Sequence, residues 1–181
     1  ALLVLANRDE DVGEGRARPA QQDLEHAEGD CRAEGVVDRR VVVRVRREAG
    51  SNGATPPGLA LHSLRAVHEG ALREAAGAAR AAGMPVHIHV AEQQQEVDDC
   101  LRHHGRRPVE WLLEHAALDA GWNLVHATQA STTELQALQR TGAAVVLCPS
   151  TEANLGDGLF DLPAWLEAQG AWAVGSDRHG P

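Results

Sequence analysis

The sequence predicts an α/β protein with a parallel β-sheet, organised as a partial (β/α)8 barrel in which about five strands are present. Short apolar strands alternate with helical segments from residue 58 onward. The strand interiors are continuously apolar, as in parallel sheets whose right-handed crossover helices cover both faces. A complete barrel needs about 250 residues, and this chain has 181. An open Rossmann-like sheet is the structural alternative, but no glycine-rich phosphate-binding motif supports it.

The predicted elements follow one another in a regular order. A first strand at residues 59–61 leads into an alanine-rich helix at about 64–82, which Gly83 and Pro85 end. The later elements are a strand at 85–90, helices at 92–104 and 108–115, a strand at 123–126, a capping-box helix from 131 to 140, a strand at 143–147, a long loop, a helix at 163–169 and a strand at 171–175. Residues 58–181 are therefore expected to form the C-terminal half of a barrel.

Residues 1–57 form an irregular segment without a hydrophobic period of 3.6 or 2.0 residues. Valines at 41–43 are compatible with a short strand, and the glycines and prolines of 50–57 predict a linker. One explanation is a divergent or disordered arm. The other explanation, which is favoured, is out-of-frame translation of a GC-rich gene. All 17 basic residues are arginines, nine of them in the first 47 positions, and the chain has no lysine.

Charge and composition exclude several classes of function. The net charge of −9 gives no electrostatic basis for nucleic-acid binding. No apolar run approaches the roughly 20 residues of a membrane span, and no signal-peptide pattern opens the chain. The three cysteines are scattered and odd in number, as is typical of reduced intracellular thiols. A cytoplasmic location without membrane or nucleic-acid partners is therefore expected.

Polar side chains stand where four of the predicted strands end, namely at His62, His89, His126 and Asp177. A lone histidine beside apolar residues is more often a core residue than a ligand. An aspartate after Gly-Ser is likewise typical of a turn or cap. Side chains at the carboxyl ends of barrel strands nevertheless converge on one mouth, so four such strands favour a shared site.

The segment around His89 predicts metal chemistry. His87 and His89 lie two residues apart, about 6.6 Å along a strand, and so point to the same face. His89 is the better ligand candidate because it is nearer the strand end, and His87 is either a second ligand or a buried structural partner. His126 and Asp177 would complete a zinc cluster. Glu92, three residues after His89, is placed to act as a general acid or base.

Several motifs in order and at natural spacing resemble those of the formimidoylglutamate deiminases, a family of the amidohydrolase superfamily. They occupy residues 61–67, 87–93, 96–100, 105–108, 124–128, 150–158 and 175–177. The run 150–158 and the His-Ser-Leu-Arg sequence at 62–65 are specific to this type of enzyme, whereas the His-x-x-Glu and Ser-Asp elements alone would indicate only the wider superfamily. The resemblance implies a TIM-like barrel of the metal-dependent amidohydrolase type.

The resemblance also implies a reaction and a role for each site residue. The reaction is the zinc-dependent hydrolysis of N-formimino-L-glutamate to N-formyl-L-glutamate and ammonia, a step in histidine breakdown. The implied roles are zinc binding for His89 and Asp177, proton uptake for Asp177, proton delivery to the leaving nitrogen for Glu92, orientation of the metal-bound hydroxide for His126, and substrate binding for His62 and Arg65. Without the resemblance, Arg65 would be interpreted as a surface arginine at a helix start.

One expected element is missing from the sequence. The superfamily supplies two further zinc ligands from a His-x-His on the first barrel strand, but the only such pair here is His87 and His89. The 181-residue chain is therefore expected to be inactive as it stands, and a homodimer is expected by family analogy alone. The alternatives are another amidohydrolase deaminase, acting on a purine or amidine, and a truncated barrel fragment without enzymatic activity.

Overall fold

A computed structural model describes residues 42–45 and 58–177 of the chain. The linker predicted at 50–57, and the irregular segment apart from its strand at 42–45, lie outside the described residues. Within the described part, no helix combines the length and the apolar character needed to cross a membrane.

The described strands form one six-stranded sheet in which sequence order is also spatial order. The strands are β1 (Val42–Val45), β2 (Gly58–Leu61), β3 (Val86–Val90), β4 (Trp122–His126), β5 (Ala144–Leu147) and β6 (Trp172–Val174). β2 to β6 are parallel, which confirms the predicted α/β fold with five parallel strands. β1 is a sixth strand and pairs antiparallel with β2.

Helices connect the parallel strands, as predicted. They are α1 (Glu69–Ala81), α2 (Gln94–His104), α3 (Pro108–His115), α4 (Thr132–Gln139), α5 (Pro149–Leu155) and α6 (Leu162–Glu167). The predicted capping box at the start of α4 is present, because the Ser131 side chain accepts from Glu134 N and the Glu134 side chain accepts from Ser131 N.

The first predicted helix was placed five residues too early. Residues 64–66 form a turn, and α1 begins at Glu69 after His68, whose ring accepts a hydrogen bond from Ala71 N at 3.3 Å. The turn is closed by Ser63 O, which accepts from Ala66 N and Val67 N. Helix periodicity alone cannot detect such a cap, because the residues before and after it are equally compatible with a helix.

The long loop predicted after β5 was also wrong, since it contains α5. Pro149 occupies the first turn of this helix, and Gly156 ends it in the left-handed conformation at φ 72°. These are ordinary start and stop signals, but only seven residues separate them. This short helix carries a buried glutamate, Glu152, toward the sheet.

The core lies between the sheet and its helices. Fully buried strand residues such as Ile88, Leu124 and Val145 pack with buried helix residues such as Leu72 and Leu112. Burying a side chain of this size contributes about 1.5–3 kcal/mol. Because β2, β3, β4 and β6 all run in one direction, their carboxyl ends lie along the same edge of the sheet. This edge carries the polar residues predicted to form a site.

Candidate metal centre and active site

His89 lies at the end of β3 with its ring orientation fixed by the neighbouring strand. Its Nδ1 is 2.7 Å from the backbone oxygen of His62, and the His89 N–H donates to the same oxygen at 3.0 Å. A carbonyl oxygen can only accept, so Nδ1 carries the proton and donates it. In the neutral ring, the Nε2 atom of His89 is therefore the unprotonated nitrogen that can bind a metal, the arrangement usual for histidine ligands.

Three donor groups converge at this edge. His89 Nε2 lies 3.5 Å from Asp177 Oδ1, and His126 Nε2 lies 3.6 Å from Asp177 Oδ2. One ligand atom from each of the three residues lies within 4.8 Å of the others. The His89 and His126 rings stack with their centroids 5.6 Å apart. The structure therefore brings together three of the residues predicted from strand ends.

His126 is fully buried, and its two ring nitrogens have different surroundings. Nδ1 is 3.2 Å from Glu152 Oε1. Nε2 has no hydrogen-bond partner among the described residues and faces Asp177 together with Glu92, whose Oε1 is 3.5 Å away. Leaving a buried polar atom unpaired costs about 1–3 kcal/mol. A cation at this point would use the Nε2 lone pair.

This donor set fits a zinc ion. Imidazole nitrogen and carboxylate oxygen are both common zinc ligands, and a catalytic site with three protein ligands keeps a fourth position open for water. The Asp177 carboxylate faces two imidazole nitrogens, the unpaired Nε2 of His126 and the Nε2 of His89, whose ring is oriented by the bond from Nδ1 to the His62 carbonyl. The geometry suits His126 either as a ligand or as a group that contacts the attacking water.

The charged partners of the site oppose the effect of burial. Burial lowers the pKa of His89, but the close contact with Asp177, the hydrogen bond to the His62 carbonyl and the charges of Asp177 and Glu92 outweigh it and raise that pKa. Burial raises the pKa of Asp177, but the close contact with His89, the charges of His89 and His126 and the Thr151 hydroxyl lower it overall. Asp177 therefore stays a carboxylate, as a metal ligand must.

Glu92 follows β3 and reaches the same point from the side of His126. Its backbone N–H donates to Glu96 Oε2 at 3.0 Å, which holds the turn after Ala91. Burial is the largest effect on Glu92 and raises the pKa of its carboxyl group, with the charges of Asp157 and Asp177 adding to the rise. A carboxyl group with a raised pKa is better suited to carry a proton at neutral pH.

The backbone is left-handed at three places beside the site. Ala91 after β3, His126 at the end of β4 and Asp177 after β6 have φ values of 49°, 69° and 46°. A residue other than glycine in this conformation costs of order 1–3 kcal/mol, and such residues concentrate at functional sites. Each of these left-handed residues lies at the end of a strand or just after it, where the backbone leaves the sheet.

The predicted substrate residues occupy the end of β2. The His62 ring centroid lies 5.7 Å from that of His89, and its Nδ1 is 3.0 Å from Ser63 Oγ. Burial, together with the charges of His89 and Arg65, lowers the pKa of His62 to about 4, so the ring is neutral at pH 7. Arg65 is exposed in the turn after β2 and makes no ion pair with a described residue.

The structure favours one of the two interpretations of His87. Within the described part of the chain, His87 lies outside the donor cluster, as a structural partner of the sheet would. Two buried carboxylates were not predicted as site residues, namely Glu152, which contacts His126, and Glu96, which contacts the Glu92 backbone. The start and stop signals of α5 could have placed Glu152 on a helix, but nothing in the sequence indicates that it contacts His126.

Comparison with known proteins identifies the relatives of this chain. Residues 14–180 match the amidohydrolase family. The formimidoylglutamate deiminase of Pseudomonas aeruginosa is 51% identical over 122 residues, which are 67% of this chain and 27% of that protein. The 5-methylthioadenosine/S-adenosylhomocysteine deaminase of Halobacterium salinarum is 35% identical over 147 residues, 80% of this chain and 34% of that protein. The chain thus spans about a third or less of the length of these relatives.

Solved structures agree with this relationship. An amidohydrolase from Brucella melitensis superposes with a TM-score of 0.64 at 48% identity, covering 66% of this chain and 26% of that one. A zinc-bound adenosine deaminase from Xanthomonas campestris superposes with a TM-score of 0.63 at 29% identity, covering 66% and 27%.

Proposed function

The chain belongs to the amidohydrolase family, and from this premise we propose that residues 58–177 carry part of the active centre of a formimidoylglutamate deiminase. The reaction is the hydrolysis of N-formimino-L-glutamate to N-formyl-L-glutamate and ammonia, a step in histidine breakdown. The observation that carries the proposal is the convergence of His89 Nε2, His126 Nε2 and the Asp177 carboxylate beside Glu92. The 51% identity to the Pseudomonas enzyme supports the choice of substrate.

His89 and Asp177 would hold one Zn²⁺, and His126 Nε2 faces the same point. When bound, the ion lowers the pKa of water to about 7 and so provides a nucleophile at neutral pH. His89 is prepared for this role because the His62 carbonyl keeps its proton on Nδ1. Asp177 is prepared because its neighbours keep it ionised.

The chain's own groups then move the protons. His126 contacts and orients the attacking water through Nε2, and Asp177 takes up the proton that the water loses. The oxygen adds to the formimino carbon, and Glu92 delivers a proton to the terminal nitrogen. Asp177 then returns its proton to this nitrogen, the C–N bond breaks and ammonia leaves, while the remaining hydroxyl proton passes to Glu92 and the carbon becomes a formyl carbonyl. Glu92 suits this step because its raised pKa lets it carry the proton that the poor leaving group requires.

Substrate selection would depend on the end of β2. The Arg65 guanidinium can bind a glutamate carboxylate in a two-pronged geometry. The neutral His62 ring beside it can form hydrogen bonds without repelling the cationic amidine of the substrate. The substrate is a small molecule. By family analogy, we propose that the protein forms a homodimer.

The second candidate function is deamination of a purine nucleoside. It is supported by the 35% identity to the Halobacterium deaminase, whose match covers more of this chain than that of the Pseudomonas enzyme. The amino-bearing carbon of adenine is also amidine-like, so the same metal and acid groups would serve. 5-Methylthioadenosine is the nucleoside that separates the two candidates, because it has no carboxylate to pair with Arg65, whereas S-adenosylhomocysteine has one.

The decisive experiment replaces the matching segment of the Pseudomonas formimidoylglutamate deiminase with residues 58–177 of this chain and measures ammonia release. We expect activity with N-formimino-L-glutamate and little with 5-methylthioadenosine. Arg65→Met should reduce kcat/KM by about 10–100-fold, the effect of losing a charged hydrogen-bonding partner. Arg73→Met is the matched control, since among the described residues that arginine pairs only with Glu69, at the surface of α1.

Two outcomes would oppose the proposal. Activity with 5-methylthioadenosine alone would support the second candidate, and equal effects of the Arg65 and Arg73 variants would remove Arg65 from the substrate site. For the 181-residue chain assayed alone we predict no activity, because its single His-x-His lies on β3. Zinc-dependent ammonia release by the purified chain would contradict that prediction.

A further inference from the structure

We propose that Glu152 is a positioning residue that keeps the proton of His126 on Nδ1 and so presents an unprotonated Nε2 to the metal site. This inference rests on the proposed metal site and does not depend on the identity of the substrate. Glu152 does not itself touch the point where the donors converge, and it acts through His126.

The hydrogen bonds of Glu152 determine the polarity of its contact with His126. Glu152 is 5% exposed, and its Oε1 lies 2.8 Å from Cys148 N and 3.2 Å from His126 Nδ1. A backbone N–H can only donate, so the atom that faces Cys148 must be an acceptor. The same oxygen faces His126, and Nδ1 must therefore donate to it.

Burial makes this arrangement difficult to reverse. The His126 side chain is 0% exposed, so water does not compete for Nδ1. Rotating the ring by half a turn would place a carbon atom against the carboxylate and leave Oε1 with Cys148 N as its remaining donor. Removing one partner of a buried charged contact is strongly unfavourable.

The consequence appears on the other side of the ring. Nε2 faces Glu92 and Asp177 at 3.5 and 3.6 Å, beyond normal hydrogen-bond distance, and has no partner in the described part of the chain. His89 is set in the same way by a different acceptor, the His62 carbonyl. Two stacked imidazoles thus present Nε2 to one point, each with an acceptor behind it.

The test measures which nitrogen of His126 carries the proton. The metal-free 181-residue chain is labelled with ¹⁵N-histidine, the His126 signals are assigned by their loss in His126→Ala, and two-bond nitrogen–proton correlations identify the tautomer. We expect the Nδ1–H pattern in the wild type. Glu152→Gln should keep this pattern, because the Cys148 N–H still requires an oxygen at that position. Glu152→Leu should lose it.

Zinc affinity provides the second readout. Where His126 is the third ligand, Glu152→Leu should weaken zinc binding by about 10–100-fold, the usual effect of removing a group that orients a ligand. An unchanged affinity together with a lost Nδ1–H pattern would support the positioning role and assign His126 to the attacking water. Glu134→Leu, compared at a temperature where circular dichroism shows it folded, is the matched control, because Glu134 is equally buried but contacts Arg107 rather than a site histidine. It should leave both the His126 tautomer and the zinc affinity unchanged.

The outcomes separate this proposal from the proposed function. An Nε2–H pattern in the wild type, or an unchanged pattern in a folded Glu152→Leu protein, would overturn the role of Glu152 whatever the substrate is. If Glu152→Leu does not fold, the wild-type and Glu152→Gln spectra decide, and a switch to Nε2–H in Glu152→Gln would oppose the proposal. A wild-type Nδ1–H pattern in a chain that binds no zinc would support the positioning and contradict the metal site.

Discussion

Arg107 and Glu134 form a buried ion pair whose loss should destabilise the protein strongly. Arg107 Nε donates to Glu134 Oε2 at 2.7 Å, and Arg107 Nη2 donates to the backbone oxygen of Gln129 at 2.5 Å. The Glu134 side chain is 0% exposed and that of Arg107 27%. The pair joins the start of α3 to the start of α4 and to the loop after β4, beside the candidate site.

Substituting Arg107 with methionine keeps most of the side-chain volume but leaves a buried carboxylate without its cation. Glu134 would retain only backbone donors, from Ser131 N at 2.8 Å and Glu110 N at 3.3 Å. Breaking a buried ion pair on one side costs about 3–5 kcal/mol. The two remaining backbone bonds and the partial exposure of Arg107 place the expected loss at the lower end, about 3 kcal/mol.

The matched control is Arg80→Met. Arg80 makes the same two kinds of contact, to the Asp119 carboxylate at 2.8 Å and to the Ala117 carbonyl at 2.6 Å, but its pair is 58% and 49% exposed. An exposed ion pair contributes only about 0–1 kcal/mol. Urea unfolding followed by tryptophan fluorescence measures both variants under the same conditions.

Equal losses in the two variants would refute the reasoning, because burial is the only large difference between the pairs. The double variant Arg107→Met/Glu134→Gln provides a further check. It removes the charge that Arg107→Met leaves behind, so its unfolding free energy should lie above that of the single variant. A double variant that is less stable than Arg107→Met would mean that the unpaired charge is not what destabilises it.

Two further predictions concern buried titratable groups. Burial raises the pKa of Cys100 to about 11 and that of Cys148 to about 12. Peptide mapping after thiol labelling at pH 8 should therefore find both cysteines unmodified in the folded chain and modified in urea. Rapid labelling of both cysteines without urea would contradict their burial. Burial also raises the pKa of Glu96 above its ordinary 4.5, so its neutral form favours folding, and this contribution to the unfolding free energy is lost as pH rises from 4.5 through the raised value. Glu96→Gln should show a smaller decline over that range, and identical pH profiles of the variant and the wild type would refute this assignment.

The sequence was sufficient to predict the five parallel strands and most of the residues that meet at their carboxyl ends. Apolar runs located β2 to β6 within two residues, because buried parallel strands have a continuous apolar pattern. The carboxyl ends of such strands share one edge, so His62, His89, His126 and Asp177 could be predicted to lie together before any geometry was known. The prediction of metal chemistry followed from the types of side chain at these positions, imidazole and carboxylate.

The supporting contacts could not be predicted from the sequence. Glu152 contacts His126 from 26 residues away, and that contact depends on how a seven-residue helix packs against the sheet. The left-handed backbone at Ala91 and Asp177 is equally invisible, since alanine and aspartate have no local pattern that requires it. Such features depend on tertiary packing, which a one-dimensional pattern does not contain.

The central claim is that His89 and Asp177 hold a catalytic zinc ion, and zinc titration of the purified metal-free chain tests it most directly. Competition with a chromogenic chelator gives the number of ions bound and their affinity. We expect one Zn²⁺ per chain, lost in His89→Ala and in Asp177→Asn but retained in His115→Ala, whose ring instead stacks on Trp111 outside the donor cluster. A wild-type chain that binds no zinc, or His89 and Asp177 variants that bind it as the wild type does, would contradict the zinc site.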